Sequence, residues 1–130
     1  MQFVAKTKFV WYSAFKLRPL ADVIRGKDAL HAVQWLSLYK TKRSIPVQKT
    51  LKSAIANAKD LQGIEAQNLM VKEIRVDQGA IRYSFKPGAM GRAMPQRRRQ
   101  CHITIVLEPK VTSSRVTQSR VAPSQKKKEA

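Results

Sequence analysis

Residues 74–107 read IRVDQGAIRYSFKPGAMGRAMPQRRRQCHITIVL, and this stretch decides the fold. At its two ends, apolar residues alternate with polar ones at a period of two, which is typical of β-strands. Gly88 and Gly91, between Pro87 and Pro95, are residues that favour turns. The pattern therefore predicts two antiparallel strands joined as a long hairpin.

The middle of this hairpin, about residues 78–101, is basic, and no acidic residue occurs in 78–107. Arms of about 11 residues would reach about 35 Å at ~3.3 Å per residue, and a bare two-stranded ribbon is marginally stable in water. An ordinary solvated surface hairpin is one interpretation. We favour contact with RNA, whose phosphates would neutralise the cations and whose bases would stack on Tyr83, Phe85 or arginine planes. The basic residues are Arg82, Lys86, Arg92, Arg97, Arg98 and Arg99.

The whole chain is also basic, with 26 Lys and Arg against 8 Asp and Glu and a net charge of +18 over 130 residues. A compact domain with this excess repels itself unless a polyanion neutralises it. The charge predicts a nucleic-acid partner, with an anionic membrane as the less common alternative. The apolar stretch at residues 9–15 is too short to cross a membrane. We therefore expect a soluble protein, in the cytosol or in an organelle of bacterial ancestry.

Three helices are predicted between a first strand at residues 2–10 and the hairpin. Ser13 offers an N-cap for the first helix, and Gly26 offers its end. Pro19 lies inside this pattern, so the helix should start near it or carry a kink. The second helix should begin near Asp28.

The third helix, about residues 45–61, has the clearest pattern. Ser44 is expected to be its N-cap, and Gly63 is expected to end it. One apolar stripe follows the helical repeat and predicts the buried face. Its members are Val47, Leu51, Ala54, Ile55, Ala58 and Leu61.

These elements predict an α+β domain over residues 1–110, with three helices packed on a small antiparallel sheet and a long protruding hairpin. Residues 111–130 are rich in Ser, Thr, Lys and Arg. They hold too little apolar surface to bury, so we expect a basic, disordered tail.

Signatures of catalysis or metal binding are lacking in the sequence. The two histidines, His31 and His102, are far apart and have no suitably spaced partners, so no metal site is expected. Cys101 is the single cysteine; it lies on the apolar face of a strand and should pack in the core. We expect no cofactor and no enzymatic activity.

Five segments, in order, resemble the universal large-subunit ribosomal protein family numbered twenty-two. Together they cover about residues 4–108. The segments are 18–27 (RPLADVIRGK), 53–58 (SAIANA), 76–79 (VDQG), 87–93 (PGAMGRA) and 101–106 (CHITIV).

The resemblance implies a globular part on the outer surface of the large subunit, near the exit of the nascent-chain tunnel. It implies that the hairpin threads inward through the rRNA and that its tip helps line the tunnel. The implied partners are large-subunit rRNA, neighbouring large-subunit proteins and the nascent polypeptide. The implied tunnel-facing residues are Ala89, Met90, Gly91, Arg92 and Ala93.

The leading hypothesis is therefore a structural rRNA-binding protein of the ribosome. On the globular part, the candidate rRNA-binding residues are Lys16, Arg18, Arg25 and Lys27. A DNA-binding architectural protein could also use a basic ribbon, but such proteins usually dimerise. This chain offers no self-complementary seam, so we expect no obligate homo-oligomer. An RNA-modifying enzyme would need a cofactor fold or a catalytic constellation.

Overall fold

The computed structural model describes residues 1–110, so the predicted tail, 111–130, lies outside the described residues. Short 3-10 turns at Ala66–Asn68 and Ala89–Gly91 precede the last two strands. The main elements are β1 (Phe3–Val10), α1 (Ala14–Ile24), α2 (Ala29–Leu38), α3 (Ser44–Gln62), β2 (Leu69–Pro87) and β3 (Ala93–Pro109). The predicted α+β class, with three helices and a small antiparallel sheet, is confirmed.

Strand β3 lies in the centre of the sheet, which has the order β1-β3-β2 and is antiparallel throughout. β1 pairs with the C-terminal half of β3, from Cys101 to Leu107. β2 pairs with β3 along its whole length, up to Pro87 opposite Ala93. Beyond Cys101 towards the turn, the sheet formed by residues 1–110 therefore has two strands, and these form the predicted long hairpin.

The core lies between the helices and one face of the sheet. Leu17, Leu36 and Leu51, one from each helix, are fully buried. They pack in one cluster with Ile103 and Ile105 of β3. Because alternate residues of a strand point to the same face, the period-two pattern of β3 supplies the sheet side of this core.

Helix α1 begins at Ala14 rather than near Pro19, which lies inside it. Pro19 has no N–H to donate to the carbonyl four residues earlier, and the helix continues past it. Gly26, with φ of +72°, lies just after the helix, as predicted. Its N–H donates to the carbonyl of Val71 at 2.9 Å, so the turn after α1 is tied directly to β2.

Two predictions for α3 are wrong. Ser44 is the first residue of the helix rather than its N-cap, because its Oγ lies within hydrogen-bond distance of the carbonyls of Tyr39 and Thr41. Leu61 is 74% exposed. It keeps the phase of the apolar stripe, but it lies in the last turn, after the final buried residue of the helix, Ala58.

The boundary of the hairpin turn also differs from the prediction. Pro95 belongs to β3, opposite Phe85, instead of lying in the turn. Among the described residues, β2 is the only strand beside β3 in this part of the hairpin, and an edge position tolerates a residue that lacks an N–H.

Leu51 and Leu61 make a matched pair on one helix. We expect Leu51→Ala to lower the free energy of unfolding by about 2–5 kcal/mol, because it leaves a cavity in the core. Leu61→Ala should change it by no more than about 0.5 kcal/mol, because the side chain is already in water. Urea unfolding followed by circular dichroism measures both, and equal losses would contradict this description of the core.

Candidate nucleic-acid interface

The strand register places basic residues on both faces of the hairpin. Arg97 lies opposite Tyr83, and Arg99 lies opposite Ile81. Residues directly opposite in an antiparallel pair share a face, so the returning arm adds two arginines to the face that carries Tyr83 and Phe85. Taken alone, the outgoing arm alternates, with Ile81, Tyr83 and Phe85 on one face and Arg82, Ser84 and Lys86 on the other. The hairpin instead presents cations on both sides.

On the other face, Arg82 lies directly opposite Arg98. Two like charges in this position repel each other across the strands. Within residues 1–110, four ion pairs occur, and none involves a residue of 78–107. They are Arg25–Asp22, Lys72–Glu108, Arg75–Glu73 and Lys110–Asp28.

Four of the carboxylates in residues 1–110 are thus paired with cations outside the hairpin, while the hairpin cations have no ion-pair partner within these residues and can bind an external anion. Glu108 is one of the paired carboxylates. The hydrogen bond from Lys72, with that from Gln2, holds the pKa of its carboxyl below the ordinary value.

A groove of about 550 Å³ lies where the hairpin leaves the globular part. We call it the cationic groove. It brings Lys16 of α1 together with three consecutive arginines of β3. The sequence could not show that Lys16 lies next to these arginines. Its lining residues are Trp11, Tyr12, Ser13, Lys16, Arg97, Arg98 and Arg99.

The indole of Trp11 stands at the edge of this groove and is 57% exposed. The guanidinium carbon of Arg82 lies 5.2 Å from the centre of the Trp11 ring, in cation–π contact. Trp11 and Arg82 also line a second recess, next to Phe9, Ala80 and Gln100. Trp11 was not predicted as a site residue, although the adjacent aromatic residues Trp11 and Tyr12 before a basic helix were a usable signal.

A bulge in β1 holds this region in place. Phe9 has φ of +57°, a left-handed conformation that is rare for a residue other than glycine, asparagine or aspartate. Its N–H donates to Nδ1 of His102 at 3.0 Å, and the two rings meet edge to face with centres 4.9 Å apart. Because Nδ1 accepts this bond, the proton of the neutral ring lies on Nε2.

Gly79 lies beside the same histidine, where β2 passes close to β3. A Cβ added there would lie 3.2 Å from both the Gln100 carbonyl group and Nε2 of His102. The absence of a side chain at Gly79 thus permits the close approach of the strands at the root of the hairpin.

The other predicted cations of the globular part do not line the cationic groove. Arg18 lies over the ring of Phe15, 5.0 Å from its centre. Arg25 pairs with Asp22 at 2.8 Å and also donates to the carbonyl of Ile74. Lys27 is exposed on the turn before α2. The structure therefore joins Lys16 to the hairpin arginines and leaves the other three separate.

The hairpin tip closes through its main chain. The N–H of Gly88 donates to the carbonyl of Arg92 at 2.6 Å, and a Cβ at Gly88 would lie 3.1 Å from that oxygen. Gly91 and Met90 both have positive φ, at +71° and +56°. All five predicted tunnel-facing residues, 89–93, are exposed, and Met90 is 97% exposed.

Cys101 is fully buried, as predicted, with Sγ 3.8 Å from the carbonyl of Val10. Burial raises the pKa of this thiol, against a smaller opposing effect of the Tyr12 main chain. Residues 1–110 contain no group of three or more His, Cys, Asp or Glu side chains that could hold a metal ion. In the same part of the chain, no helix is long and apolar enough to cross a membrane.

We expect the Cys101 thiol to resist iodoacetamide in the folded protein at pH 8, because burial and the raised pKa leave little accessible thiolate. The thiol should react in urea. A control with Cys101→Ala and Ser53→Cys carries an exposed thiol on α3 and should react without denaturant. Rapid labelling of the folded native chain, followed by mass spectrometry, would contradict the burial of Cys101.

Comparison with known proteins places these features in a family. Residues 5–108 match the family model described as ribosomal protein L22p/L17e. The large ribosomal subunit protein uL22 of Bdellovibrio bacteriovorus is 40% identical over 110 residues, covering 85% of this chain and 100% of the relative. The uL22 of Syntrophomonas wolfei is 41% identical, covering 82% and 95%. The uL22 of a Synechococcus species is 38% identical, covering 81% and 85%.

Proposed function

We propose that the hairpin and the cationic groove of this chain bind large-subunit rRNA. The starting point is that the chain belongs to the ribosomal protein L22p/L17e family. Family membership makes the chain a structural constituent of the large ribosomal subunit, with a role in translation. The predicted family and the predicted ribosomal location are thereby confirmed. The proposal concerns what the chain contacts there and which residues make the contacts.

The observation that carries the proposal is the placement of Arg82 opposite Arg98 in a hairpin without acidic residues. This pair is repulsive in the free chain and becomes favourable when a phosphate lies between or beside the two guanidiniums. Because cations occupy both faces of the hairpin, RNA can surround it rather than cover one side. Each phosphate that replaces condensed counterions makes binding sensitive to salt.

The proposal extends to the tip and to the rest of the particle. The exposed residues 89–93 project at the end of a hairpin of about ten residues per arm, which spans roughly 33 Å at ~3.3 Å per residue. We propose that these residues face the nascent polypeptide in the exit tunnel, while the globular part contacts neighbouring large-subunit proteins. The role is one of positioning and charge neutralisation, and it includes no catalytic step.

We expect Arg97→Ala, Arg98→Ala and Arg99→Ala together to weaken binding to large-subunit rRNA. The slope of log Kobs against log salt should become shallower by up to about 3 units, roughly one for each lost phosphate contact. The matched control removes the same charge from α3, as Lys49→Ala, Lys52→Ala and Lys59→Ala. Filter binding at several salt concentrations measures both. If the slope stays unchanged, or changes as much in the control, the three arginines do not make the proposed phosphate contacts.

A photo-crosslinking residue at Met90 tests the tip. In ribosomes stalled with nascent chains too short to leave the particle, we expect this residue to crosslink to the nascent chain. The same residue at Leu61, which is also exposed but lies on the globular part, should not. Crosslinks from position 90 to rRNA alone would argue against a tunnel-facing tip.

A further inference from the structure

We propose that the cationic groove holds one unpaired nucleotide, with its base stacked on Trp11 and its phosphate bound by Lys16 and the neighbouring arginines. This inference rests on the proposed RNA binding, and it adds the kind of RNA element that the groove takes. Phosphate contacts alone would fit any polyanion, whereas a flat aromatic surface beside them selects a chain that carries bases.

The position of Trp11 supports a stacking role. Trp11 separates two concave regions, because it lines both the cationic groove and the smaller recess next to Phe9. Arg82 lines the recess and lies over the ring in cation–π contact. Trp11 also lines the groove and is 57% exposed, so part of its surface is accessible from the groove beside the contact with Arg82. A base stacked there would complete a sandwich of guanidinium, indole and nucleobase.

The main chain that leads to Trp11 is held in a strained conformation. Phe9 keeps a positive φ while its N–H is bonded to His102 and its ring packs edge to face on the imidazole. Left-handed conformations of bulky residues persist only where the surroundings hold them, and they cluster at functional sites. Here the bulge determines where the chain leaves β1, and therefore where the indole lies relative to β3.

The groove also has the charge and size that a nucleotide needs. Lys16, Arg97, Arg98 and Arg99 line it, and none of them takes part in an ion pair within residues 1–110. Arginine forks match phosphate oxygens in geometry as well as charge. The volume of about 550 Å³ lies within the range of roughly 300–1,000 Å³ that is usual for ligand sites.

Fluorescence of Trp11 provides a direct test in the full-length chain. Trp35 is the other tryptophan, and it is half-buried and stacked on Tyr39. In a Trp35→Phe background, emission therefore reports Trp11 alone. The two probes are a short oligoadenylate and an abasic phosphodiester strand of the same length and charge. We expect the oligoadenylate to quench Trp11 and the abasic strand to bind with little quenching.

Substitutions at Trp11 test the contribution to affinity. Trp11→Leu should weaken oligoadenylate binding roughly 5- to 150-fold, the range typical for loss of a base-stacking aromatic residue. It should leave abasic-strand binding within about twofold, and Trp11→Phe should restore most of the difference. The control is Phe15→Leu, which removes an exposed aromatic residue outside the groove and should affect both probes equally. Circular dichroism and thermal unfolding establish that each variant is folded.

The outcomes separate this inference from the proposed function. If neither strand binds the chain at low salt, the proposed rRNA binding and the nucleotide site are both wrong. If both bind with equal affinity, quench Trp11 equally, and respond equally to Trp11→Leu, the groove is a general anion site that an acidic peptide could also occupy. That result would overturn base stacking and leave rRNA binding in place. A loss of oligoadenylate binding that Phe15→Leu reproduces would overturn it as well.

Discussion

The structure depends on one strand that belongs to two environments. The C-terminal half of β3 is the central strand of the sheet, and its residues Ile103 and Ile105 are buried in the core. The N-terminal half forms one arm of the hairpin and carries Arg97, Arg98 and Arg99. Because an extended strand transmits direction along its length, packing in the core sets the angle at which the arginines leave the globular part. Among the residues of the three helices, Lys16 lines the groove together with these arginines.

The distribution of charge also differs between the globular part and the hairpin. In the globular part of residues 1–110, four carboxylates have cationic partners, among them Asp22 with Arg25 and Asp28 with Lys110. From residue 78 to residue 107, acidic residues are absent. Part of the cationic excess of the globular part is therefore offset within the chain, whereas the hairpin has no carboxylate to offset its cations. Neutralisation of the hairpin depends on an external polyanion, which the proposed rRNA binding would supply.

Repeating patterns made most of the fold predictable. The apolar stripe of α3 and the alternation in β3 are signals that recur over many residues, so single exceptions do not obscure them. Boundaries were less predictable, because they depend on contacts elsewhere. The Ser44 hydroxyl lies within hydrogen-bond distance of carbonyls that precede the helix, so it does not cap the helix N-terminus. Leu61 lies beyond the last buried turn of the helix, and its side chain is exposed.

The hairpin cations could be identified from sequence because they cluster within one segment. The cationic groove could not, because it joins Trp11 and Lys16 to arginines far along the chain. The register between β1, β2 and β3 brings them together, and it includes shifts at residues 7–10 and 78–81 that no sequence period encodes. The family resemblance indicated the role of the hairpin, but it did not point to Trp11.

The register of the two-stranded arm has a consequence for the protein before it meets RNA. Within residues 1–110, neither outer edge of this arm is covered by another strand, and bare edges invite pairing with a second chain. Pro95 and the three adjacent arginines lie on one of these strands. Proline removes a donor and like charges repel an incoming copy. The features that we propose for RNA binding are therefore also ones that disfavour edge-to-edge pairing between newly made copies of the chain.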